Sequence, residues 1–214
     1  MAWDTEGTRR RIREAAAAEF AEHGPDGTTV AQIAERAGVN KERLYNYFGD
    51  KRALFHGVLG DELDKLAAGV AGAAEAAGVT GRNYEDIGEF AGRAFDYHAD
   101  HPELARLLQW EGLAGGPPAD EIERTKHYRA KVESVAAAQR DGLLADDLDP
   151  GHLVFLLIAL AASWHFVPQL AHMITGADGD DPDERARRRE FVVRAAGRLA
   201  GAVTGRPTAP SPGG

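Results

Sequence analysis

The sequence contains no cysteine, which excludes disulfide frameworks, thiolate metal sites and cysteine nucleophiles. It opens MAWDTEGTRRR, without the apolar segment that a secretory signal needs. The longest strictly apolar run, Leu153–Ala162, has ten residues, short of the roughly 20 that span a bilayer. That run is expected to be a buried helix. No membrane partner is expected, and the cytoplasm is the expected location. No Ser/His/Asp order, phosphate-binding glycine loop or paired-carboxylate motif is present, so no catalytic residue, metal site or cofactor is assigned. No strand candidate and no fixed-period repeat is found. With 43% hydrophobic and 28% charged residues, the composition is that of a soluble globular protein.

Excess positive charge is also lacking: the net charge is −9 over 214 residues. Its distribution is uneven. Residues 1–55 hold nine Lys/Arg and nine Asp/Glu, and the remainder holds 16 against 25. All the excess acid therefore lies after residue 55. Within the first segment the cations cluster at Arg9, Arg10, Arg11 and Arg13, at Lys41 and Arg43, and at Lys51 and Arg52. An acidic body with a locally cationic head limits nonspecific binding to nucleic acid while supplying phosphate contacts.

The stretch around which the chain is organised is TTVAQIAERAGVNKERLYNYFGDKRALF, residues 28–55. Thr29 and Gln32 have the spacing of a capping box. Val30, Ile33, Ala34 and Ala37 give one apolar face, and Gly38 stops the helix. Asn40 caps a second short helix, Lys41–Phe48, with Leu44 and Phe48 inward. Lys41, Glu42, Arg43, Tyr45, Asn46 and Tyr47 are left on or near its outer surface, an unusual set for a merely solvated face. A helix, a glycine turn and a second helix with an exposed polar-aromatic face is the layout of a DNA-reading helix-turn-helix. Arg43 and Asn46 suit base edges, guanidinium to guanine and carboxamide to adenine. Lys51 lies in the first turn of the next helix, where backbone N–H groups also favour phosphate. Thr29 is a cap that can touch a phosphate as well.

Other elements follow from punctuation and periodicity. Residues 1–7 are expected to fray, Thr8 to cap a helix running to about His23, and Gly24-Pro25 to stop it. Asp50 caps a long helix reaching about Ala77, with Leu54, Phe55, Val58, Leu59, Leu63, Leu66 and Val70 as its apolar stripe. Further helices are expected over 83–100, over Glu103–Gly112 and from about Ala119 to Arg140. The last of these has Ile122, Tyr128, Val132, Val135 and Ala136 inward. Asp149-Pro150 starts a helix running to about Ile174, apolar almost all round and kinked at Pro168. A final helix, Asp183–Val203, carries the run Arg187-Arg188-Arg189, which reads as a solvated face. Residues 205–214 read as a disordered tail.

The ordered run T-T-V, I-A-x-x-A-G-V, L-Y-x-Y-F, K and L-F, preceded by the helix around Arg9–His23, resembles the DNA-binding half of the tetracycline-repressor (TetR) family of bacterial regulators. The match covers about a quarter of the chain. One departure falls just before the Leu-Tyr pair, where many members carry a small residue and then Thr or Ser, and this chain has Glu42 and Arg43. The resemblance implies phosphate contacts by Tyr45 and Tyr47. It also implies that the last two helices pair with those of a second subunit in a four-helix bundle. From the residues alone, helix 153–174 is either such an interface or internal core.

The expected fold is all-α: an N-terminal three-helix helix-turn-helix domain, residues 1–55, then a helical ligand-binding and dimerisation domain, residues 56–204. The expected function is a homodimeric transcriptional regulator, a repressor released from a palindromic double-stranded operator by a small molecule. A helical enzyme or a protein-interaction module with a DNA-binding appendage is the alternative. Phe95, His98, Trp110, Tyr128, Trp164, His165 and Phe166 are the ligand-pocket candidates. They mix apolar surface with polar tips on four expected helices, and core packing is the competing role for each. His98 and His101, three apart, raise a metal pair; the helix end beside them favours a capping or surface role.

Overall fold

The computed structural model describes residues 5–76 and 87–201. All regular structure among the described residues is helical: α1 (Thr5–Gly27), α2 (Val30–Ala37), α3 (Lys41–Phe48), α4 (Lys51–Ala76), α5 (Ile87–Asp100), α6 (Pro102–Ala114), α7 (Glu121–Arg140), α8 (Pro150–Phe166), α9 (Pro168–Thr175) and α10 (Pro182–Leu199). The expected helix starts at 83–86, the end of the last helix beyond 201, and the expected tail at 205–214 lie outside the described residues. So do residues 1–4.

Two apolar cores organise the helices. The first gathers Ile12, Ala16 and Phe20 of α1, Ile33 of α2, Leu44 of α3, Leu54, Phe55, Val58 and Leu59 of α4, and Leu104 and Leu107 of α6. Phe20 and Phe55 meet edge to face at 5.3 Å, a favoured aromatic geometry. This core runs past residue 55 and includes α6, so the helix-turn-helix rests on an element from the second half of the chain. The second core joins α5, α7, α8 and α10 through Phe95, Val135, Leu153, Leu157 and Val192. Here α5 and α10 approach closely because two glycines face Val193. A Cβ at Gly88 would come within 2.6 Å of the Val193 carbonyl oxygen, and one at Gly92 within 2.7 Å of Val193 Cγ2.

Several expectations are corrected. Thr8 is not a cap: α1 already runs from Thr5, and Thr8 lies inside it, buried, with Arg11 Nη2 3.4 Å from its hydroxyl. Pro168 does more than kink the apolar helix. It lacks the N–H that would continue the ladder, and α8 and α9 meet at 85°. Ile122 is 72% exposed, because the N-terminal part of α7 stands clear of the core that Val135 and Ala138 enter. Of the arginine run only Arg187 is solvated, its side chain 73% exposed. Arg188 is buried and held by Glu184 at 2.8 Å, and Arg189 bridges to Glu89 at 2.8 Å and Asp96 at 2.7 Å on α5. His98 is neither cap nor surface residue but buried in the core, and His101 occupies the N-cap position of α6 without a side-chain capping bond.

One face of α8 is buried and the other is open. Phe155, Leu156 and Ile158 are exposed, as is Phe191 of α10. Trp164, half-buried against the second core, meets Phe191 edge on at 6.2 Å and so links α8 to α10. Among the described residues no single helix is long and apolar enough to cross a membrane.

Candidate nucleic-acid interface and ligand cavity

The helix-turn-helix forms through local chemistry that the sequence dictates. Thr29 Oγ1 accepts from the Gln32 N–H at 3.3 Å, and Gln32 Oε1 accepts from the Thr29 N–H at 2.8 Å, completing the capping box. Gly38 takes the left-handed conformation (φ 65°, ψ 39°) that ends α2, a conformation costly for a residue with a Cβ. Asn40 Oδ1 accepts from the Arg43 N–H at 2.8 Å and starts α3, and Asp50 Oδ1 accepts from the Ala53 N–H at 2.7 Å and starts α4.

These caps aim α3 with only Leu44 fully buried. Lys41, Glu42, Tyr45 and Asn46 are exposed on it, as is Thr29 at the start of α2, while Arg43 and Tyr47 are half-buried. The two tyrosines are thus not equivalent. Tyr45 is 49% exposed, whereas Tyr47 packs against the first core with the Arg9 guanidinium 5.3 Å from its ring centre. Lys51 is half-buried, and its Nζ donates to the Thr28 carbonyl at 2.9 Å, clamping the start of α4 to the turn before α2. Arg13 is drawn back onto the body by Asp61 at 2.9 Å.

The helical body holds a cavity of about 790 Å³ between α4, α5, α7 and α8, within the range of about 300–1,000 Å³ usual for small-molecule sites. Its apolar walls come from Leu63, Leu66 and Val70 of α4, Phe90, Ala91 and Ala94 of α5, and Leu157, Ile158 and Ala161 of α8. The polar wall is α7, which presents Glu123, Arg124, His127, Tyr128 and Lys131; Asp64, His98 and Asp120 complete it.

Of the seven pocket candidates, His98 and Tyr128 line this cavity. Phe95, His165 and Phe166 cluster behind His98. The His165 ring lies 5.0 Å from Phe95 and 6.1 Å from His98, and Phe166 lies 6.0 Å from His98. Trp164 does not line the cavity; it packs against the second core and against Phe191, with Arg188 5.0 Å from its ring centre. Trp110 is placed away from the cavity altogether, packed against the first core at Gly24 of α1. Its ring fills space that a side chain at position 24 would otherwise need.

Burial sets the protonation states. Desolvation lowers His98 to about 4, with His165 adding repulsion. It also lowers His165, which Arg185 and Arg188 push the same way. Both are neutral at physiological pH. Burial lowers Lys131, and burial together with the Lys131 charge lowers His127. Burial works to lower Arg124 too, but hydrogen bonds and charge from Glu111, 2.8 Å away, outweigh it and raise it. Among the described residues no group of three or more His, Asp or Glu is arranged to hold a metal ion.

Asp64, Asp120, Glu123, Arg124, His127 and Lys131 were not singled out by the sequence reading. A signal was there: positions 124, 127, 128 and 131 form an i, i+3, i+4, i+7 stripe on α7 beside Val132 and Val135. The stripe is polar, and apolar periodicity alone passes over it.

A capped helix-turn-helix joined by one continuous helix to a helical body with a cavity defines a DNA-binding transcriptional regulator. Comparison with known proteins names the family. The model described as "Bacterial regulatory proteins, tetR family" matches residues 12–58, and "Tetracyclin repressor-like, C-terminal domain" matches residues 86–198. The chain belongs to the TetR family. It is 38% identical to the HTH-type transcriptional repressor SCO4008 of Streptomyces coelicolor, over 92% of this chain and 96% of that one. It is 33% identical to the HTH-type transcriptional regulator RutR of Escherichia coli, over 79% of each chain. A crystal structure of the transcriptional regulator SCO4942 from Streptomyces coelicolor superposes with a TM-score of 0.74 at 32% identity, covering 91% of this chain and 99% of that one.

Proposed function

We propose that the protein is a homodimeric repressor that binds a palindromic operator and is released from it by a small molecule bound between α4, α5, α7 and α8. The observation that carries this reading is the shared helix α4. Its first turn abuts the reading helix α3 and is clamped by Lys51, while Leu63, Leu66 and Val70 further along it line the cavity. A ligand that prefers one setting of α4 therefore shifts the balance between DNA-competent and incompetent arrangements. The homodimer is supported by the exposed apolar surface of α8 and α10, and by the single half-site that one helix-turn-helix reads. Repression is the activity named for the SCO4008 relative.

On α3, Arg43 and Asn46 are the proposed base readers. Lys41, Tyr45, Tyr47, Lys51 and Thr29 are the proposed phosphate contacts. Selection from random duplexes, followed by anisotropy titrations, tests this. The recovered site should be a near-palindrome bound by an even number of subunits, with affinity falling steeply as salt rises. Arg43→Ala should relax base preference and cost about 1–3 kcal/mol per half-site. An Arg43→Ala protein with unchanged preference and affinity would remove α3 from the reading role.

A further inference from the structure

Among the described residues Lys131 has no carboxylate partner to account for its place in the cavity wall. It lies half-buried, four residues after His127 on the same face of α7, with Nζ 4.6 Å from the ring centre of Phe90. Neither an ion pair nor a hydrogen bond holds it among the described residues. A cation half removed from water is costly unless something answers its charge. The acids of the same cavity are engaged elsewhere or face solvent. Glu123 pairs with Lys126 at 2.7 Å, and Asp64 and Asp120 are exposed. Arg124, the other cation of the wall, is already neutralised by Glu111.

A second observation points the same way. His98 is 4% exposed and lines the cavity, and its Nδ1 has no hydrogen-bond partner. Buried polar atoms are rarely left unpaired. Apart from Asp64, the walls that α4, α5 and α8 contribute are otherwise apolar. One uncompensated positive charge, one unpartnered neutral imidazole and long aliphatic walls together describe a ligand with one negative charge, one polar end and an apolar body. A multiply charged phosphate ester would bring more anion than one lysine answers, next to Asp64 and Asp120.

We propose that the cavity takes an apolar monocarboxylic acid, its carboxylate held by the Lys131 ammonium over Phe90 and its body lying between Leu66, Val70, Ala94 and Leu157. The His98 imidazole lines the same cavity. This rests on reading the cavity as the effector site, and it fixes the chemical class of the effector.

The test is calorimetric titration of the full-length protein with decanoate, decanol and decylamine, each below its aggregation concentration. Decanoate should bind about tenfold or more tightly than decanol, and decylamine most weakly, because only the carboxylate answers the buried charge. Lys131→Met, similar in shape but uncharged, should erase the preference for decanoate over decanol. Lys131→Arg should keep it, which separates loss of charge from loss of fold. Absence of saturable decanoate binding, equal binding of decanol, or a preference that survives Lys131→Met each overturns the proposal. Operator affinity measured on the same samples distinguishes the two readings. Decanoate bound through Lys131 without effect on DNA leaves the carboxylate site standing and removes its effector role. Release of DNA by an uncharged or cationic molecule, with no decanoate binding, does the reverse.

Discussion

Gly24→Ala tests the join between the DNA-binding head and the body, and its cost can be worked from two separate terms. The first is backbone. Gly24 sits at φ 71°, ψ 170°, a region essentially reserved for glycine, where any other residue costs about 1–3 kcal/mol. The second is steric. A Cβ at position 24 would lie 2.8 Å from Cδ2 and Cε3 of Trp110 and 2.9 Å from Cε2. A fused ring held on α6 cannot bend away as a flexible chain end could, so overpacking adds about 1–3 kcal/mol. Gly24→Ala should therefore cost about 2–6 kcal/mol in all. Trp110→Ala alone removes a half-buried ring and should cost about 2 kcal/mol, below the range for a fully buried tryptophan. In the double variant the new methyl enters the space the ring has left, so only the backbone term survives. The double variant should then be more stable than the sum of the two singles by about 1–3 kcal/mol. Urea unfolding followed by far-ultraviolet circular dichroism, at one fixed protein concentration, gives all four corners of the cycle. Strict additivity would refute the contact and, with it, the seating of α6 on α1.

Two further outcomes follow from burial. Phe155→Asp should yield a folded monomer in sedimentation, since Phe155 is 68% exposed on a single chain; Leu160→Asp should unfold the protein instead, because Leu160 packs against its own core. A dimer that survives Phe155→Asp would move the interface away from this face. His98 predicts a pH dependence. Its pKa is about 4 in the fold against 6.5 ordinarily, so between these values the unfolded chain binds the extra proton. Stability from this residue is fully present above pH 6.5 and lost as pH falls towards 4, by about 3 kcal/mol at the limit. His98→Leu should flatten that part of a stability–pH curve, and an unchanged slope would mean that His98 is not buried as described.

The helix-turn-helix was legible because its signals are local. Thr29 with Gln32, Gly38, Asn40, Gly49 and Asp50 each settle a cap or a stop within four residues of themselves, and none needs a tertiary partner. The same holds for Asp149-Pro150. What the sequence did not carry depends on partners far along the chain. Arg188 and Arg189 read as solvated until Glu184, Glu89 and Asp96 are brought beside them. Trp110 reads as a pocket aromatic until α6 is laid on α1 at Gly24. The cavity was legible in part, through His98 and Tyr128. Its polar wall was missed because a polar stripe on an amphipathic helix looks the same whether it faces open water or lines a pocket.

The proposed control of DNA binding also depends on contacts that sequence spacing cannot reveal, and they converge on α6. Glu111 on α6 holds Arg124 of the cavity wall at 2.8 Å. Gln109, two residues earlier, donates from Nε2 to the Phe166 carbonyl at 2.6 Å, where α8 ends. Between them Trp110 presses on Gly24 of α1, and Leu104 and Leu107 enter the core that supports α3. Three consecutive residues thus tie two cavity helices and the DNA-binding head to one short element. A ligand that displaced α7 by engaging Lys131 would act on α6 through the Arg124–Glu111 pair, seven residues away on the same face. The contact it meets at the other end is rigid, since Gly24 leaves no side chain to absorb a shift of the indole. Packed interfaces of this kind move as units rather than deform. A small change at the cavity would therefore be passed to α1, and to the α2–α3 pair packed on it, as a change in position of the whole reading head.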